Sequence, residues 1–528
     1  MGCVPLDIFN GLGSITPAQL GYVRAQGFQE GTTQEQIISG SVTGDLGEWG
    51  GQSPWAKNPI AISVGAEYRD EQLQLATDQE FQTNDLYGQG SPTLSIPRSG
   101  FNVSEGFTEI KVPLIQGMPW FEDLTLNGGY RYSSYNTAGS TSAYKYGAEW
   151  QPIDDFRLRG SVQRAVRAPD VLELFSPDTV GLFSGQDPCS QAGNPNAVVL
   201  ANCHKEGVTN AGAGVLDCPA TQCNAETGGN ALLKPETSIT RTAGIVITPT
   251  FFDGFTATVD YFNIKVDKTI SVVNASLTLN ECYGATATAA TQAFFCPLVV
   301  RNPTNHEIYG NGFVAETNAN TGYLATRGVD FELNYTSDMS MVGVQNMGSL
   351  AFNLVGTWLD AISTEAIPGF PAYNCAGLYG LICGATGTPD GPTPKWRSKF
   401  RVTWSTPWDV DVSVDWRYLG AVNLGSDSSN PLVGGGPAQT ICPNGQTVYG
   451  IGDCVDAHIA SYDYFDLSGD WTVRQGVDLR AGVNNIFDVE PPVLGSSVIP
   501  VGAGNGNTYP GTYDSLGRAI FIAATIKY

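Results

Sequence analysis

Cysteine is the residue type in this chain whose spacing points most directly to chemistry. The 528 residues include 11 cysteines, and ten of them fall into neighbouring pairs inside loop-like segments: Cys189/Cys203, Cys218/Cys223, Cys282/Cys296, Cys375/Cys383 and Cys442/Cys454. No pair is a CxxC, and the histidines are only His204, His306 and His458. Metal-binding spacings are therefore lacking. The pattern predicts loop disulfides, no metal site and an oxidising compartment such as the periplasm or the cell surface.

Two points about the cysteines stay open in the sequence. The four cysteines between positions 189 and 223 allow three connectivities. Cys3 is left over, and an odd cysteine in an exported protein predicts a partner, which we expect upstream of this sequence. The first residues also lack the charged and apolar regions of a signal peptide. We therefore expect the chain to be the C-terminal part of a longer protein.

Catalytic and nucleic-acid-binding signals are missing from the sequence. There is no Gly-x-Ser-x-Gly, His-Glu-x-x-His, P-loop or dinucleotide-binding fingerprint, so neither an enzyme nor a cofactor is predicted. Asp154 and Asp155 sit at a tight turn and read as turn residues. The net charge of −24 argues against nucleic acid, which attracts basic surfaces.

Alternation of apolar and polar residues is the dominant pattern along the chain. In the last segment, Ser515 to Tyr528, the residues Ile520, Ile522 and Ile526 share a face with the terminal Tyr528. About fifteen such segments are predicted, at 32–43, 58–71, 102–112, 122–134, 142–152, 155–165, 237–250, 254–267, 322–337, 347–361, 396–408, 410–419, 459–475, 476–488 and 515–528. No run of 18 apolar residues predicts a membrane-spanning helix. Two folds fit this alternation, a soluble β-sandwich and a transmembrane β-barrel.

The lengths of the connections separate these two folds. Every second connection is short, and all the paired cysteines fall in the long ones. Long external loops and short periplasmic turns are typical of outer-membrane barrels. We therefore predict an all-β, antiparallel transmembrane β-barrel with long extracellular loops and a periplasmic C-terminus. Fifteen strands cannot close antiparallel, so further strands are expected upstream. Residues 1–31 are predicted to be an extracellular loop with a short helix, and residues 32–528 to be the C-terminal part of the barrel.

The polar faces of the predicted strands carry charges that could hydrate or relay a solute inside the barrel. The alternative for each is a wall residue paired with its surroundings or with water. The lumen-facing candidates are Arg157, Arg159, Arg401, Asp411, Asp415, Asp478 and Arg480.

Several stretches, taken in order, resemble the TonB-dependent outer-membrane receptors. They are Gly65-Ala-Glu-Tyr-Arg69, residues 161–175, residues 233–237, Asp260-Tyr-Phe-Asn-Ile264, Gly328-Val-Asp-Phe-Glu332, residues 479–488 and Gly517-Arg518 leading to Tyr528. Each is weak alone, but the ordered set is specific. It resembles the C-terminal part of a barrel of about 22 strands, of which about 15 are present. The plug, the TonB box and the signal peptide have no counterpart in the sequence.

The resemblance implies TonB-coupled uptake of a scarce solute in the outer membrane of a Gram-negative bacterium. The solute could be siderophore-bound iron, an oligosaccharide or another compound. The implied partners are outer-membrane lipid, the barrel-assembly machinery, for which Tyr528 would be the C-terminal signal, and the TonB complex through a plug. Two alternatives remain, a passive porin and a non-transporting surface receptor or adhesin.

Overall fold

Fifteen antiparallel strands form one continuous sheet in the computed structural model, which describes residues 4–6, 8–86, 91–383, 391–495, 498–499 and 506–527. Each strand pairs with the next in sequence order, as expected for an up-and-down barrel wall. The strands are β1 (Gln29–Asp45), β2 (Ala61–Thr77), β3 (Ile96–Met118), β4 (Phe121–Tyr135), β5 (Gly139–Ile153), β6 (Phe156–Arg167), β7 (Glu236–Ile247), β8 (Phe255–Asp267), β9 (Tyr323–Asp338), β10 (Ser349–Glu365), β11 (Trp396–Ser405), β12 (Val410–Leu419), β13 (Tyr462–Arg474), β14 (Val477–Asn484) and β15 (Ala519–Ile526).

Exposure of the two faces of this sheet distinguishes a membrane barrel from a sandwich. Ile520 and Ile522 of β15 are 75% and 82% exposed. On the opposite, polar face, Thr125 and Ser413 are only 4% and 2% exposed. A sandwich would bury its apolar face. This sheet exposes it, as a barrel wall in lipid does. We call the polar face the lumen face and the apolar face the outer face.

Large aromatic side chains surround the short turns. Trp49, Trp120, Phe251 and Trp408 are all exposed at that end of the strands. The indole N–H of Trp150 donates to the backbone oxygen of Trp120 at 2.9 Å, which satisfies its polar atom. Aromatic residues of this kind form the girdle at the edge of a bilayer, because the ring is apolar and its N–H or O–H is polar.

All fifteen predicted strands are present, but several are longer than the alternation indicated. The segment predicted at 102–112 is the 23-residue β3, Ile96–Met118. About ten residues cross a bilayer, so strands of this length extend beyond it. At these strand ends, the backbone continues to hydrogen-bond to the neighbouring strands, although the alternation of apolar and polar residues has stopped. Within the described residues, β1 and β15 occupy the two ends of the sheet and are not paired with each other.

The helices and all but one of the minor strands lie outside this sheet; the exception, Tyr373–Asn374, pairs with the loop end of β10. In the described ranges no helix is both long and apolar enough to cross a membrane. The α-helices are α1 (Pro17–Val23), α2 (Gln79–Gln82), α3 (Val171–Phe175), α4 (Ala197–Lys205), α5 (Ala275–Tyr283) and α6 (Ala289–Phe295). The 3-10 helices are Gly47–Trp49, Gly214–Leu216, Pro219–Thr221, Cys296–Leu298, Met339–Val342, Gly425–Asp427 and Pro431–Val433. The minor strands are Thr179–Ser184, Gln222–Thr227, Ile270–Val272, Val299–Val300, Phe313–Ala315, Asn318–Asn320, Tyr373–Asn374, Leu378–Tyr379, Val422–Leu424, Gln439–Ile441, Thr447–Tyr449 and His458–Ile459.

The predicted N-terminal helix is α1. Thr16 caps it and Pro17 is its first residue, and the Gln19 side chain accepts a hydrogen bond from the Thr16 backbone N–H at 2.8 Å. This capping box satisfies backbone groups that would otherwise be unpaired at the helix start. The division of the chain at residue 31 stays a prediction.

A charge on the outer face should oppose membrane insertion, whereas a charge on the lumen face should not. We expect Ile522→Arg to reduce the protein recovered in outer membranes, because arginine facing lipid costs about 2–4 kcal/mol near the bilayer centre. Thr525→Arg is the matched control, since Thr525 lies on the lumen face opposite Asp478. Membrane fractionation with a protease-resistance assay measures both, and equal losses would contradict the assignment of the faces.

Candidate functional site

Two of the long loops fold together into one unit, which we call the paired-loop module. It consists of residues 168–235, between β6 and β7, and residues 268–322, between β8 and β9. Its four-stranded sheet takes two strands from each loop, in the order Val299–Val300, Phe313–Ala315, Gln222–Thr227 and Thr179–Ser184. The side-chain amide of Asn224 donates to the backbone oxygens of Gly310 and Gly312. The two loops therefore hold each other in one conformation.

The paired-loop module has a hydrophobic core of its own. Val208, Leu216, Leu279, Phe295 and Ile308 are each at most 2% exposed. They pack around buried cystines from both loops. A loop that buries this much apolar surface has a defined structure, in contrast to most surface loops.

A buried ion pair links the two halves of the module. The Arg301 guanidinium bonds both carboxylate oxygens of Asp187, at 2.6 and 2.9 Å. The Asp187 side chain is fully buried and that of Arg301 is 9% exposed. Arg301 Nε also donates to the Tyr283 hydroxyl at 3.0 Å, and burial raises the pKa of that hydroxyl. Two-point contact of this kind fixes the relative position of both loops.

A second loop cluster forms above β10 to β15. Tyr379, Leu424, Tyr509 and Tyr513 come from three different loops and are at most 2% exposed. The Tyr379 hydroxyl donates to the backbone oxygen of Asp456. Burial raises the pKa of Tyr509 to about 12.

Disulfide bonds cross-link the loops of both clusters. The structure joins Cys189–Cys203, Cys218–Cys223 and Cys282–Cys296 in the paired-loop module, and Cys375–Cys383 and Cys442–Cys454 in the second cluster. Of the three connectivities open in the four-cysteine loop, it has the sequential one. Cys3 and Tyr528 lie outside the described residues.

A cavity of about 720 Å³ opens on the lumen face below these loops. Its wall follows one register row across six strands, from β6 to β11, in the order Arg159, Gly244, Asp260, Asp330, Thr357 and Arg397. Thr512, from the loop before β15, also lines it. This volume is within the usual range of small-molecule sites, about 300–1,000 Å³.

Acidic groups occupy one side of the cavity, and each has a partner. Arg159 reaches across β7 and bonds both oxygens of Asp260, at 2.9 and 2.5 Å. It can do so because the residue between them is Gly244, where a Cβ would lie 1.9 Å from Asp260 Oδ1. The Thr357 hydroxyl donates to Asp330 at 2.6 Å.

Basic groups occupy the other side. Arg417 bonds Asp466 and, from the loop before β15, Asp514, while its guanidinium lies 4.9 Å from the centre of the Tyr464 ring. Lys399 pairs with Asp415 at 3.2 Å. Arg397 is exposed, and its guanidinium has no hydrogen-bond or ion-pair partner among the described residues. Among the described residues that line the cavity, it is therefore the basic side chain available to bind an anionic group.

The seven candidate lumen residues divide into two groups by their position along the strands. Three belong to the cavity region: Arg159 lines the cavity, and Arg401 and Asp415 lie beside it, 3.9 Å apart. The other four lie near the short turns, away from the cavity. There Arg157 contacts Glu149 and Gln151, Arg480 contacts Asp470, Asp478 accepts from Thr472, and Asp411 is in register with Asp470. A role in solute binding stays a prediction for all seven.

Sequence reasoning missed most of the cavity wall. Asp260, Asp330, Arg397, Lys399 and Arg417 were not among the candidates, although alternation places each on a polar face. Arg397 and Lys399 are four and two residues from Arg401 on the same strand face. That spacing was a usable signal for β11. Nothing in one sequence shows that this face meets Asp330 across β10.

Comparisons with known proteins agree on the architecture. A family model described as "TonB dependent receptor-like, beta-barrel" matches residues 9–486. A variant of the ferric enterobactin receptor from Pseudomonas aeruginosa, solved with enterobactin, is 14% identical with a TM-score of 0.55, and the match covers 94% of this chain and 55% of that one. The siderophore receptor PirA from Acinetobacter baumannii is 13% identical with a TM-score of 0.52, with coverages of 94% and 55%. The chain thus spans just over half the length of these structures, which are similar in fold. No curated protein sequence matches it significantly.

Loss of Arg301 should loosen the paired-loop module. We expect Arg301→Met to destabilise the module by about 3–5 kcal/mol, because Asp187 would remain buried without its partner. The double variant Arg301→Met/Asp187→Leu should recover much of this loss, since it leaves no charge buried. Hydrogen exchange of residues 168–235 and 268–322 measures the effect. Unchanged protection in the single variant would show that the ion pair does not fix the loops.

The ten paired cysteines should resist alkylation. When the protein from outer membranes is denatured and alkylated without reductant, we expect no label on these residues, because each sulfur is bonded to another. At most Cys3 should react. Peptide mass spectrometry locates the label, and a reduced sample is the control. Label on Cys282 or Cys296 without reductant would rule out that disulfide.

Proposed function

The chain belongs to the TonB-dependent receptors through their β-barrel domain, and on that premise we propose that it takes up a scarce solute across the outer membrane by TonB-coupled active transport. The observation that carries this proposal is the cavity on the lumen face beneath two loop clusters. A preorganised concave site with a few fixed charges is suited to selective binding, because little has to be ordered when the solute enters.

The two loop clusters support a receptor role. A passive porin leaves an aqueous channel through its barrel. Here, the loops have buried cores, and Arg417 ties the loop before β15 to the barrel wall through Asp514. Loops held in this way form an external vestibule rather than mobile flaps. In the proposed orientation the long loops are extracellular, and the short turns and the C-terminus are periplasmic.

The solute would be a small polar compound with an anionic group. Arg397 offers a guanidinium at the cavity that has no partner among the described residues, and guanidinium groups bind carboxylate and phosphate in a two-point manner. Of the similar structures, one is solved with enterobactin and one is a siderophore receptor. Siderophore-bound iron is therefore the first candidate and an oligosaccharide is the second. We propose no catalytic activity.

Energy coupling would reach the barrel through a plug, as in the family. The TonB complex is thus an indirect partner in this proposal, and outer-membrane lipid and the barrel-assembly machinery are direct ones. The proposed assembly signal, Tyr528, follows the last described residue, Lys527.

Uptake kinetics test the proposal. Cells that make the protein would be supplied with radioactive iron bound to a catecholate or a hydroxamate siderophore, or with a labelled oligosaccharide. We expect saturable uptake of one probe, lost both with a protonophore and in cells lacking TonB, because transport against a gradient needs energy. Uptake that rises linearly with concentration and ignores the protonophore would instead identify a passive porin.

One pair of variants connects this uptake to the cavity. Arg397→Gln should raise the half-saturating concentration about tenfold, the effect of losing one charged hydrogen bond. Arg98→Gln is the control, because Arg98 contacts Gln72 and Gln34 away from the cavity. If both variants raised the half-saturating concentration equally, the cavity would not be the site that binds the transported solute.

A further inference from the structure

Four basic side chains converge on the outer face of the barrel wall. They come from four consecutive strands, β6 to β9, and we call them the basic band: Arg164, Arg241, Lys265 and Arg327. The whole chain has only 27 lysines and arginines and a net charge of −24. A cluster of four cations facing outward is therefore unexpected in its composition.

Strict alternation of side chains places the band outside the barrel. Arg159 and Asp260 meet on the lumen face. Arg164 and Lys265 each follow one of them by five residues, an odd number, so they point the other way. Arg241 is three residues before Gly244, which lies between Arg159 and Asp260 in the same row. The registers of β6, β7 and β8 contain no bulge that would reverse this alternation.

The same rule holds for Arg327. It is three residues before Asp330, which lines the cavity on the lumen face. The pairing of β8 with β9 is continuous through both positions. The only irregularity nearby is in β10, which accommodates the extra residue Asp360 opposite Arg327.

The four side chains lie within two adjacent register rows. Arg241 pairs with Val162 and Asn263, and Asn263 pairs with Arg327. In the next row, Ile239 lies between Arg164 and Lys265. Neighbouring strands are about 4.8 Å apart, so the band is roughly 15 Å wide.

The band lies at the loop end of the strands, above apolar residues. Arg164 is three residues from the end of β6, and Lys265 is two from the end of β8. Closer to the short turns, the outer face of the same strands carries Leu158, Ile245 and Val259. Leu158 and Val259 are exposed, as lipid-facing residues should be. The band therefore lies where acyl chains give way to headgroups.

The band keeps a positive charge after its internal pairs are counted. Lys265 pairs with Asp267 at 2.7 Å and Arg327 pairs with Asp360, which leaves Arg164 and Arg241 uncompensated. Arg164 donates to the backbone and side-chain oxygens of Ser142, neither of which is charged. Across the described part of the chain, the Arg241 guanidinium has no side-chain or backbone partner.

We propose that the basic band binds the phosphate groups of a glycolipid in the outer leaflet of the outer membrane. Arginine forms two-point hydrogen bonds with phosphate, and a phosphate at this site would supply the counter-charge that Arg164 and Arg241 lack. The apolar residues below would contact the acyl chains. The inference goes beyond solute transport and depends only on the proposed placement of the long loops outside the cell.

Lipid titration of the protein extracted from outer membranes in mild detergent tests this inference. The probes are purified lipopolysaccharide with both lipid A phosphates, the same material after enzymatic removal of phosphate, and phosphatidylglycerol. Native mass spectrometry measures the bound fraction at each concentration. We expect the phosphorylated lipopolysaccharide to bind the protein at least tenfold more tightly than the other two, because charged hydrogen bonds are lost without the phosphates.

Variants of the band provide the second measurement. Arg241→Gln/Arg327→Gln should weaken binding of phosphorylated lipopolysaccharide about tenfold or more. The control Arg157→Gln/Arg480→Gln removes two charges from the lumen face and should bind as the original protein does. If the first variant does not reach the membrane, Arg241→Gln alone serves, since no described residue pairs with Arg241.

Three results would overturn the inference. The first is equal binding of the phosphorylated and dephosphorylated probes to the unaltered protein. The second is equal weakening by the band and lumen variants. The third is a preference for phosphatidylglycerol, which would place this end of the barrel in the inner leaflet. None of these depends on solute uptake, so the transport proposal stands or fails separately.

Discussion

Backbone hydrogen bonding in a medium without water is the constraint on which the rest of this structure depends. Hydrocarbon offers no partner for an N–H or C=O group, so every strand must be paired along its membrane-crossing length. Sequential antiparallel pairing from β1 to β15 meets this requirement inside the sheet. The same lipid environment also reverses the usual distribution of polarity, so that apolar side chains face outward and polar side chains face inward. Ile522 faces outward, and Ser413 and Glu105 are buried.

This reversal explains the arrangement of charge on the lumen face. Ionised groups there are held close to a protein wall, where an unpaired charge is costly. Most are neutralised by neighbours in the register, as Arg159 is by Asp260 and Arg417 is by Asp466 and Asp514. Arg397 differs from them, because its guanidinium has no hydrogen-bond or ion-pair partner among the described residues, and for this reason we propose it as a binding group. The basic band on the outer face shows a similar contrast, since Arg241 has no partner in the part of the chain that the structure describes.

The loops follow a different physical rule from the wall. They are long enough to leave the sheet, so they must bury apolar surface of their own to be ordered. The paired-loop module does this with a hydrophobic core, three disulfides and the ion pair between Arg301 and Asp187. In the proposed function, these ordered loops over a charged wall distinguish a receptor from a passive porin.

The sequence by itself determined the strands, their faces and the positions of the loops, because a period of two residues and the spacing of cysteines are local signals. It showed that Arg401 and Asp415 lie on polar faces, and it placed Cys282 and Cys296 in one loop. Only the tertiary structure decided which charges meet. Arg159 reaches Asp260 across 101 residues, and Arg301 reaches Asp187 across 114. Register between strands and packing between loops set these contacts, and neither leaves a periodic trace in one chain.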